Sequence, residues 1–280
     1  MTGPDWLRPS THARHDLRDP DVSSFDSALH VTRYEWVRDT FGSADRTAID
    51  LGCGTGFGCA ILAEQMGEVV GVDFAVEGLA VAAERHGSVS ITFVDADLTA
   101  ASLFDHAGAR QFDVVTSMET IEHLEDYVGF VANAARLTRP DGVFVVATPN
   151  RRMTYERYPQ RRHMDPSHVQ EFTRLALEHV LAERFAAVEV WYQWIPGYWE
   201  TRGDVVVDGA APGGAGRSGW VPPKLLPALR GVRARLRREE PVEPRRWGPA
   251  DVAIVPASTN PQHEADAFCL LAVCRSPRPA

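Results

Sequence analysis

The sequence predicts an α/β fold in which a mostly parallel sheet of seven strands is covered by helices on both faces. Short apolar runs alternate with stretches whose apolar residues repeat every three to four positions, the pattern of strands followed by helices. A glycine-rich turn, Gly52–Gly56, directly follows the first of these runs, and glycine is favoured where φ is positive or a ligand lies against the backbone. The 280 residues, 44% hydrophobic and 24% charged, supply enough apolar material for such a core.

The elements follow in a regular order after a polar, proline-containing segment, residues 1–23, that we expect to be flexible or to lie on the surface. Residues 24–41 carry apolar side chains at helical spacing and predict an amphipathic helix. Apolar runs then predict strands at Thr47–Leu51, Glu68–Val72, Val89–Val94, Phe112–Thr116, Gly142–Ala147 and Ala187–Trp194. Helical patterns between them predict helices at Phe57–Gln65, Val76–Arg85, Ile121–Leu137 and Phe172–Arg184. This alternation is typical of parallel strands joined by helices.

Residues 196–263 interrupt the alternation with a glycine-rich stretch, several prolines and a basic run, Lys224–Arg246. The apolar run Ala267–Cys274 then predicts a buried final strand. A long irregular stretch between two strands of one sheet indicates an insertion that forms a lid or is partly disordered. We therefore expect a main domain of residues 24–195 and 264–280 with an insertion at 196–263.

Composition narrows the class of protein. The formal net charge of −9 disfavours a general nucleic-acid binder, and the basic run is more typical of a surface helix than of a nucleic-acid arm. No apolar run approaches the roughly 18 residues that a membrane span needs. The first residues carry no apolar secretory signal, and the four cysteines lack C-x-x-C spacing. We expect a cytoplasmic enzyme with reduced thiols and no membrane partner.

The glycine turn, D-L-G-C-G-T-G at Asp50–Gly56, differs from the dinucleotide fingerprint G-x-G-x-x-G. That fingerprint would require a third glycine where Phe57 stands, and here the glycine comes one position earlier, at Gly56. A nicotinamide dehydrogenase is thereby a distant alternative. The spacing G-x-G-x-G, preceded by an aspartate, resembles motif I of the class I S-adenosylmethionine-dependent methyltransferases.

Four further motifs in order are similar to this family. The second strand ends at Asp73, where a ribose-binding acid is expected after a glycine turn, and the third is followed by Asp97 and Leu98. The fourth, F-D-V-V-T-S-M-E-T-I-E-H-L, resembles the family's F-D-x-V followed by E-x-x-E-H-L, and 137–142 resembles its L-x-P-G-G turn. The resemblance covers about 47–194 and the last strand.

The resemblance implies a Rossmann-like fold that binds S-adenosyl-L-methionine and transfers its methyl group. The loop glycines would approach the methionine part of the cofactor, Asp50 would hold its amino group, and Asp73 both ribose hydroxyls. Asp97 would bind the adenine amino group, with the Leu98 amide against the ring. The candidate cofactor-binding residues are Tyr34, Asp50, Gly52, Cys53, Gly54, Gly56, Asp73, Phe74, Asp97, Leu98 and Met118.

Glu119, Glu122 and His123 stand at positions i, i+3 and i+4, so on a helix they would share one face. The acids would complement the dipole of a first helical turn, or with the imidazole would suit a divalent ion such as Mg or Mn. His168, just before an E-F-T segment, adds a fourth candidate ligand. The arrangement resembles metal-dependent O-methyltransferases of ubiquinone biosynthesis and of small-RNA ends. Without a metal, His123 or His168 is the candidate general base, and His163 a weaker one.

The acceptor is expected to be a small molecule. H-V-T-R-Y at residues 30–34 resembles an H-x-x-R-Y element of bacterial methyltransferases that act on sugars and secondary metabolites, a class that includes antibiotic biosynthesis. Aromatic residues near the insertion would wall a flat acceptor pocket: Trp191, Tyr192, Trp194, Tyr198 and Trp199. We expect O-methylation of a natural product or sugar. The alternatives are N-methylation of a small amine, 2′-O-methylation of an RNA end, or a non-catalytic cofactor-binding module. A homodimer is the candidate assembly.

Overall fold

The computed structural model describes residues 25–157, 167–196 and 249–278. The described residues form one sheet of eight strands in the order β3-β2-β1-β4-β5-β8-β6-β7. The strands are β1 (Thr47–Leu51), β2 (Glu68–Asp73), β3 (Ile91–Asp95), β4 (Phe112–Met118), β5 (Thr138–Pro149), β6 (Phe185–Trp194), β7 (Ala253–Pro256) and β8 (Cys269–Pro277). The first five run parallel, and β8 lies antiparallel between β5 and β6.

The helices connect the strands and cover the sheet. They are α1 (Phe25–Phe41), α2 (Phe57–Ala63), α3 (Val76–His86), α4 (Leu103–His106), α5 (Tyr127–Leu137), α6 (Arg151–Arg157) and α7 (Arg174–Ala182). The single helix predicted at Ile121–Leu137 is wrong. A 3-10 turn, Ile121–His123, is followed by a separate helix α5, because Asp126 caps that helix by accepting a 2.8 Å hydrogen bond from the Gly129 N–H.

The predicted α/β fold is confirmed, with eight strands instead of seven. The additional strand β7 lies inside 196–263 and pairs antiparallel with the end of β6. Its four residues are too few to give a periodic signal beside the glycine- and proline-rich stretch. Residues 197–248 and the predicted N-terminal segment 1–23 lie outside the described residues, so the lid and the flexible segment stay predictions.

The strand order reverses between β1 and β4, and this reversal positions the site. After β1 the chain continues to β2 and β3 on one side, whereas β4 and β5 lie on the other side. The connections leaving β1 and β4 therefore diverge, and a crevice opens at the carboxyl ends of these two strands. At the opposite end, the Asp113 carboxylate accepts bonds from the Thr47 N–H and hydroxyl, so Asp113 ties β4 to β1 away from the crevice.

The core lies on both faces of the central strands, which are almost entirely buried. On one face, Phe144 of β5 stacks on Phe185 of β6 with ring centroids 5.6 Å apart, and Phe130 of α5 packs edge-on against Phe144.

None of the helices in the described residues combines the length and the apolar composition that a membrane span requires.

Candidate functional site

The glycine loop after β1 has the backbone that its composition predicts. Gly52, Gly54 and Gly56 have φ angles of 88°, 54° and 81°, a region that disfavours side chains. A Cβ at Gly56 would lie 2.7 Å from the Phe93 ring, so packing also requires a glycine there. At Gly54, no heavy atom of the described chain lies within 4 Å of the Cβ position. The middle of the loop therefore exposes its backbone to open space, where a ligand can approach.

Asp73 lies beside this loop at the end of β2. One carboxylate oxygen accepts a 2.9 Å hydrogen bond from the Gly54 N–H and the other a 2.9 Å bond from the Ala75 N–H. A carboxylate oxygen can accept more than one hydrogen bond, so these two bonds do not exclude a bond from a ligand hydroxyl. The next side chain, Phe74, is 64% exposed. Asp73 and Phe74 together therefore offer a fixed anion and an apolar surface next to the loop.

Asp50 is fully buried beneath the loop. Its carboxylate accepts hydrogen bonds from the Tyr34 hydroxyl at 3.0 Å and from the Thr116 hydroxyl at 2.7 Å. Burial raises the pKa of Asp50 to about 6 despite these bonds. Tyr34 is itself buried and packs edge-on against Phe57 at 5.2 Å. Tyr34 thus contacts both Phe57, the first residue of α2, and Asp50 of β1.

The other candidate cofactor residues divide into exposed and buried positions. Asp97 is exposed, and one of its oxygens accepts from both the N–H and the hydroxyl of Thr99, which lowers the pKa of Asp97. Leu98, Met118 and Cys53 are buried. Asp97 thus lies at the surface after the end of β3, where a ligand can reach it. The other three side chains are buried in the protein interior.

Three of the four predicted metal ligands come together. Glu122, His123 and His168 each offer a ligand atom, and these atoms lie within 4.8 Å of one another. The two imidazole rings pack edge-on with centroids 4.8 Å apart. Glu122 is fully buried; one of its oxygens accepts a 2.9 Å bond from the Thr148 hydroxyl, and the other has no hydrogen-bond partner among the described residues. A buried carboxylate oxygen without a partner is rare, and one carboxylate with two imidazoles fits a divalent ion.

Backbone contacts hold the segment with His168 against the turn with Glu122. The Val169 and Gln170 N–H groups donate to the Glu122 carbonyl at 2.9 and 3.2 Å. The His123 Nδ1 lies 3.2 Å from the carbonyl oxygen of Ser167, the residue before His168. The segment that carries His168 therefore also contacts the His123 ring. The shared helix face considered for Glu119, Glu122 and His123 is therefore not what brings the ligands together. The long-range docking of residues 167–171 does so.

Glu171 is a residue of this site that sequence reasoning did not single out. Its side chain is 1% exposed, and one oxygen lies 3.3 Å from the His168 Nδ1. A carboxylate on one nitrogen of a histidine fixes the ring and leaves the other nitrogen for a metal or a proton. The signal available in the sequence was the acid of the E-F-T segment three residues after His168.

Glu119 is not part of the group of three ligands. It directly follows β4 with a positive φ of 54°, and its Oε1 lies 3.0 Å from Arg33 Nη1 and 3.3 Å from the Cys269 thiol. Burial would raise the pKa of Glu119, but the charges of Arg33, His30 and His168 and the hydrogen bond from the Cys269 thiol together outweigh it and lower the pKa. Burial and the neighbouring Glu119 charge raise the pKa of Glu122 well above its ordinary value.

The predicted acceptor wall is described only in part. The Trp194 and His263 rings stack with centroids 3.9 Å apart, and Trp191 packs against Trp36 at 5.1 Å. Tyr192 is buried. The remaining candidates lie outside the described residues: His163, Tyr198, Trp199 and the basic run Lys224–Arg246.

A glycine loop after β1, an acid at the end of β2 and a strand-order reversal beside them form a crevice of the kind in which doubly wound α/β domains bind nucleotide-like ligands. Comparison with known proteins narrows the class of protein. Residues 49–146 match the family described as "Methyltransferase domain". Residues 49–146 therefore form a methyltransferase domain, and S-adenosylmethionine is the cofactor that its resemblance to the class I motifs implies.

The curated relatives include ubiquinone biosynthesis O-methyltransferases. That of Methylococcus capsulatus is 32% identical over 142 residues, 50% of this chain and 59% of the relative. That of Rhodopseudomonas palustris is 39% identical over 103 residues, 37% of this chain and 39% of the relative. These matches thus span less than two thirds of either relative. Among solved structures, a SAM-dependent methyltransferase from Archaeoglobus fulgidus has a TM-score of 0.52 at 14% identity, covering 89% of this chain and 93% of that one.

Proposed function

We propose that the protein transfers a methyl group from S-adenosylmethionine to a hydroxyl oxygen of a small molecule, with a divalent ion, Mg or Mn, held by Glu122, His123 and His168. The observations that support the metal are the ligand atoms of Glu122, His123 and His168 within 4.8 Å of one another, and a buried Glu122 oxygen without a hydrogen-bond partner among the described residues. The printed names of the curated relatives, ubiquinone biosynthesis O-methyltransferases, support oxygen as the accepting atom.

The cofactor's place follows from the glycine loop and Asp73. The exposed backbone at Gly54 would receive the methionine part, and Asp73 would accept the ribose hydroxyls while its own position is fixed by two backbone N–H groups. Asp97 would accept from the adenine amino group. Asp50, buried on Tyr34 and Thr116, supports the loop from below and would reach the amino group directly or through water.

The acceptor end lies where β4 ends, next to the loop. A divalent ion bound there acts as a Lewis acid and lowers the pKa of a hydroxyl. Burial raises the pKa of Glu122, so binding of an ion to its carboxylate would release a proton. Glu171 would keep the His168 ring oriented through its Nδ1.

A second candidate is metal-free transfer to oxygen or nitrogen with a histidine as general base. The contact between His168 and the buried Glu171 favours it, because a carboxylate behind an imidazole is also the arrangement that supports a general base. The two candidate mechanisms differ in their response to chelation and in the acceptors that each would methylate.

The test is methyl transfer from labelled S-adenosylmethionine to a panel of phenols, catechols, sugars, amines and short RNAs. The protein is assayed after treatment with a chelator and again after Mg²⁺ or Mn²⁺ is restored. The proposal expects activity with hydroxyl acceptors that is lost on chelation, restored by the ion, and lost in Glu122→Gln and His168→Ala. Glu183→Gln and His179→Ala, at exposed positions near the end of α7, are the matched controls.

Full activity in excess chelator would refute the metal and leave the histidine-base candidate. Turnover confined to amines or RNA would refute the small hydroxyl acceptor. A protein that binds the cofactor but methylates no member of the panel would support the non-catalytic module.

A further inference from the structure

Arg33 of α1 is a buried arginine whose three contacts lie at the acceptor end of the site. Its side chain is 1% exposed. Nε donates to the Gln193 side chain at 2.7 Å, Nη2 lies 2.9 Å from the Cys269 sulfur, and Nη1 forms the 3.0 Å ion pair with Glu119. The guanidinium therefore joins α1 to the start of β8, to β6 and to the residue that follows β4.

The Arg33–Glu119 pair is not easily exchanged for another partner. Arginine does not lose its proton in proteins, so it stays a cation whatever Glu119 does. Moving the carboxylate to another partner would leave a buried charge uncompensated, which is strongly unfavourable. Gln193 also donates to the Leu29 carbonyl at 2.8 Å and so fixes the guanidinium to its own helix.

Tyr34, the residue next to Arg33, also contacts an acid, at the cofactor end of the site. Tyr34 donates its hydroxyl to Asp50 in β1, whereas Arg33 pairs with Glu119 after β4. These two strands flank the crevice. Two consecutive residues of α1, Arg33 and Tyr34, thus bind the acids on the two sides of the crevice.

We propose that Arg33 is a positioning residue that holds Glu119 away from the metal group, so that Glu122, His123 and His168 are the carboxylate and imidazole ligands that the described part of the chain supplies. This inference rests on the proposed function in that it concerns the proposed ion. Three protein ligands leave more positions of a six-coordinate ion for an acceptor and water than four would. Glu119 then has a different role, as the anion that fixes α1 over the site.

The test is Mn²⁺ binding to the full chain, measured by the loss of the free-ion paramagnetic resonance signal. The charge-conserving double variant Arg33→Met/Glu119→Gln removes both members of the pair, and it should bind Mn²⁺ within about threefold of the wild type. Glu122→Gln should bind at least about tenfold more weakly, as expected when a metal site loses a ligand. The single variant Arg33→Met should bind about tenfold more tightly, because the released Glu119 becomes a further ligand. A purely structural role for Arg33 would predict the opposite direction.

Thermal melting and S-adenosylmethionine affinity check that each variant is folded, and Arg33→Lys, which keeps the charge, should stay closer to the wild type than Arg33→Met. A double variant as weak as Glu122→Gln would overturn the inference and leave the proposed metal intact. Unchanged or weaker Mn²⁺ binding in Arg33→Met would overturn it as well. If Arg33→Met binds Mn²⁺ and the wild type does not, the inference stands and the resident ion of the proposed function fails. If neither binds, both fail.

Discussion

Replacing Asp73 with alanine tests the proposed cofactor site at a residue that two backbone N–H groups hold in place. The carboxylate is held by the Gly54 and Ala75 N–H groups, each at 2.9 Å, and it lies next to the open face of the glycine loop. The proposed function has it accept both ribose hydroxyls. The substitution therefore removes two contacts to the ligand and two contacts that shape the loop.

The expected magnitude follows from these contacts. A hydrogen bond to a charged group contributes about 1.5–3 kcal/mol. Loss of the two ribose bonds should therefore weaken binding by about 3–6 kcal/mol, or roughly 10²- to 10⁴-fold in Kd. The Gly54 N–H, left without its acceptor, would loosen the loop and add to this loss.

Isothermal titration with S-adenosylmethionine and with S-adenosylhomocysteine measures the effect, and NAD should give no heat of binding to the wild type. Asp105→Asn, on the exposed helix α4, is the matched control and should bind like the wild type. An Asp73→Ala protein that is folded and binds within about threefold of the wild type would refute the assignment of Asp73 to the ribose.

Three further results are expected. Because the pKa of Asp50 is about 6 in the folded protein against 3.8 ordinarily, the folded state holds this proton more tightly, and the contribution to stability is present at low pH and lost as the pH rises through 6. Ionised Asp50 thus costs roughly 3 kcal/mol at pH 7.5, and Asp50→Asn should raise the Tm relative to the wild type more at pH 7.5 than at pH 5. Gly56→Ala should lower the Tm by several degrees because its Cβ would meet the Phe93 ring. Gly54→Ala should lower the Tm less, by the strain of its positive φ alone, and should mainly weaken cofactor binding because its Cβ enters the open space beside the loop. Glu171→Gln should weaken Mn²⁺ binding about tenfold by releasing the His168 ring.

Each of these has its own control and contradictory outcome. For Asp50, Asp105→Asn should show no such dependence on pH, and an equal Tm difference at both pH values would contradict the buried ionisation. For the glycines, equal effects of the two substitutions on stability and on cofactor affinity would contradict the geometry of the loop. For Glu171, Glu178→Gln on α7 is the control, and unchanged Mn²⁺ affinity in Glu171→Gln would contradict its role.

The sequence predicted the cofactor half of the site better than the acceptor half, for a physical reason. Gly52–Gly56 and Asp73 are set by the local connection from strand to turn to helix, and such a connection leaves glycines and an acid at fixed spacing. The strand β7 escaped prediction because four residues carry too little periodicity.

The acceptor half depends on contacts that are distant in the sequence. Helical spacing predicted that Glu119 and Glu122 share a face, but a 3-10 turn and a positive φ at Glu119 separate them. Arg33 then binds Glu119 across 86 positions of the chain, and the segment that carries His168 docks on the Glu122 carbonyl through the Val169 and Gln170 N–H groups. No local pattern encodes such pairings, because each partner is an ordinary residue in its own segment.

The contact between Gly52 and Thr120 joins the two halves of the proposed site. A Cβ at Gly52 would collide with the Thr120 side chain, so the glycine loop packs directly on the turn that carries Glu119 and Glu122. The Gly52 N–H donates to the Val72 carbonyl at 2.8 Å, which fixes the same loop to β2 just before Asp73. Gly52 thus lies between Asp73, the proposed ribose ligand, and the turn that carries Glu119 and Glu122. Methyl transfer requires donor and acceptor to be aligned to within fractions of an ångström, and this close backbone contact keeps the two ends of the crevice in a fixed relation.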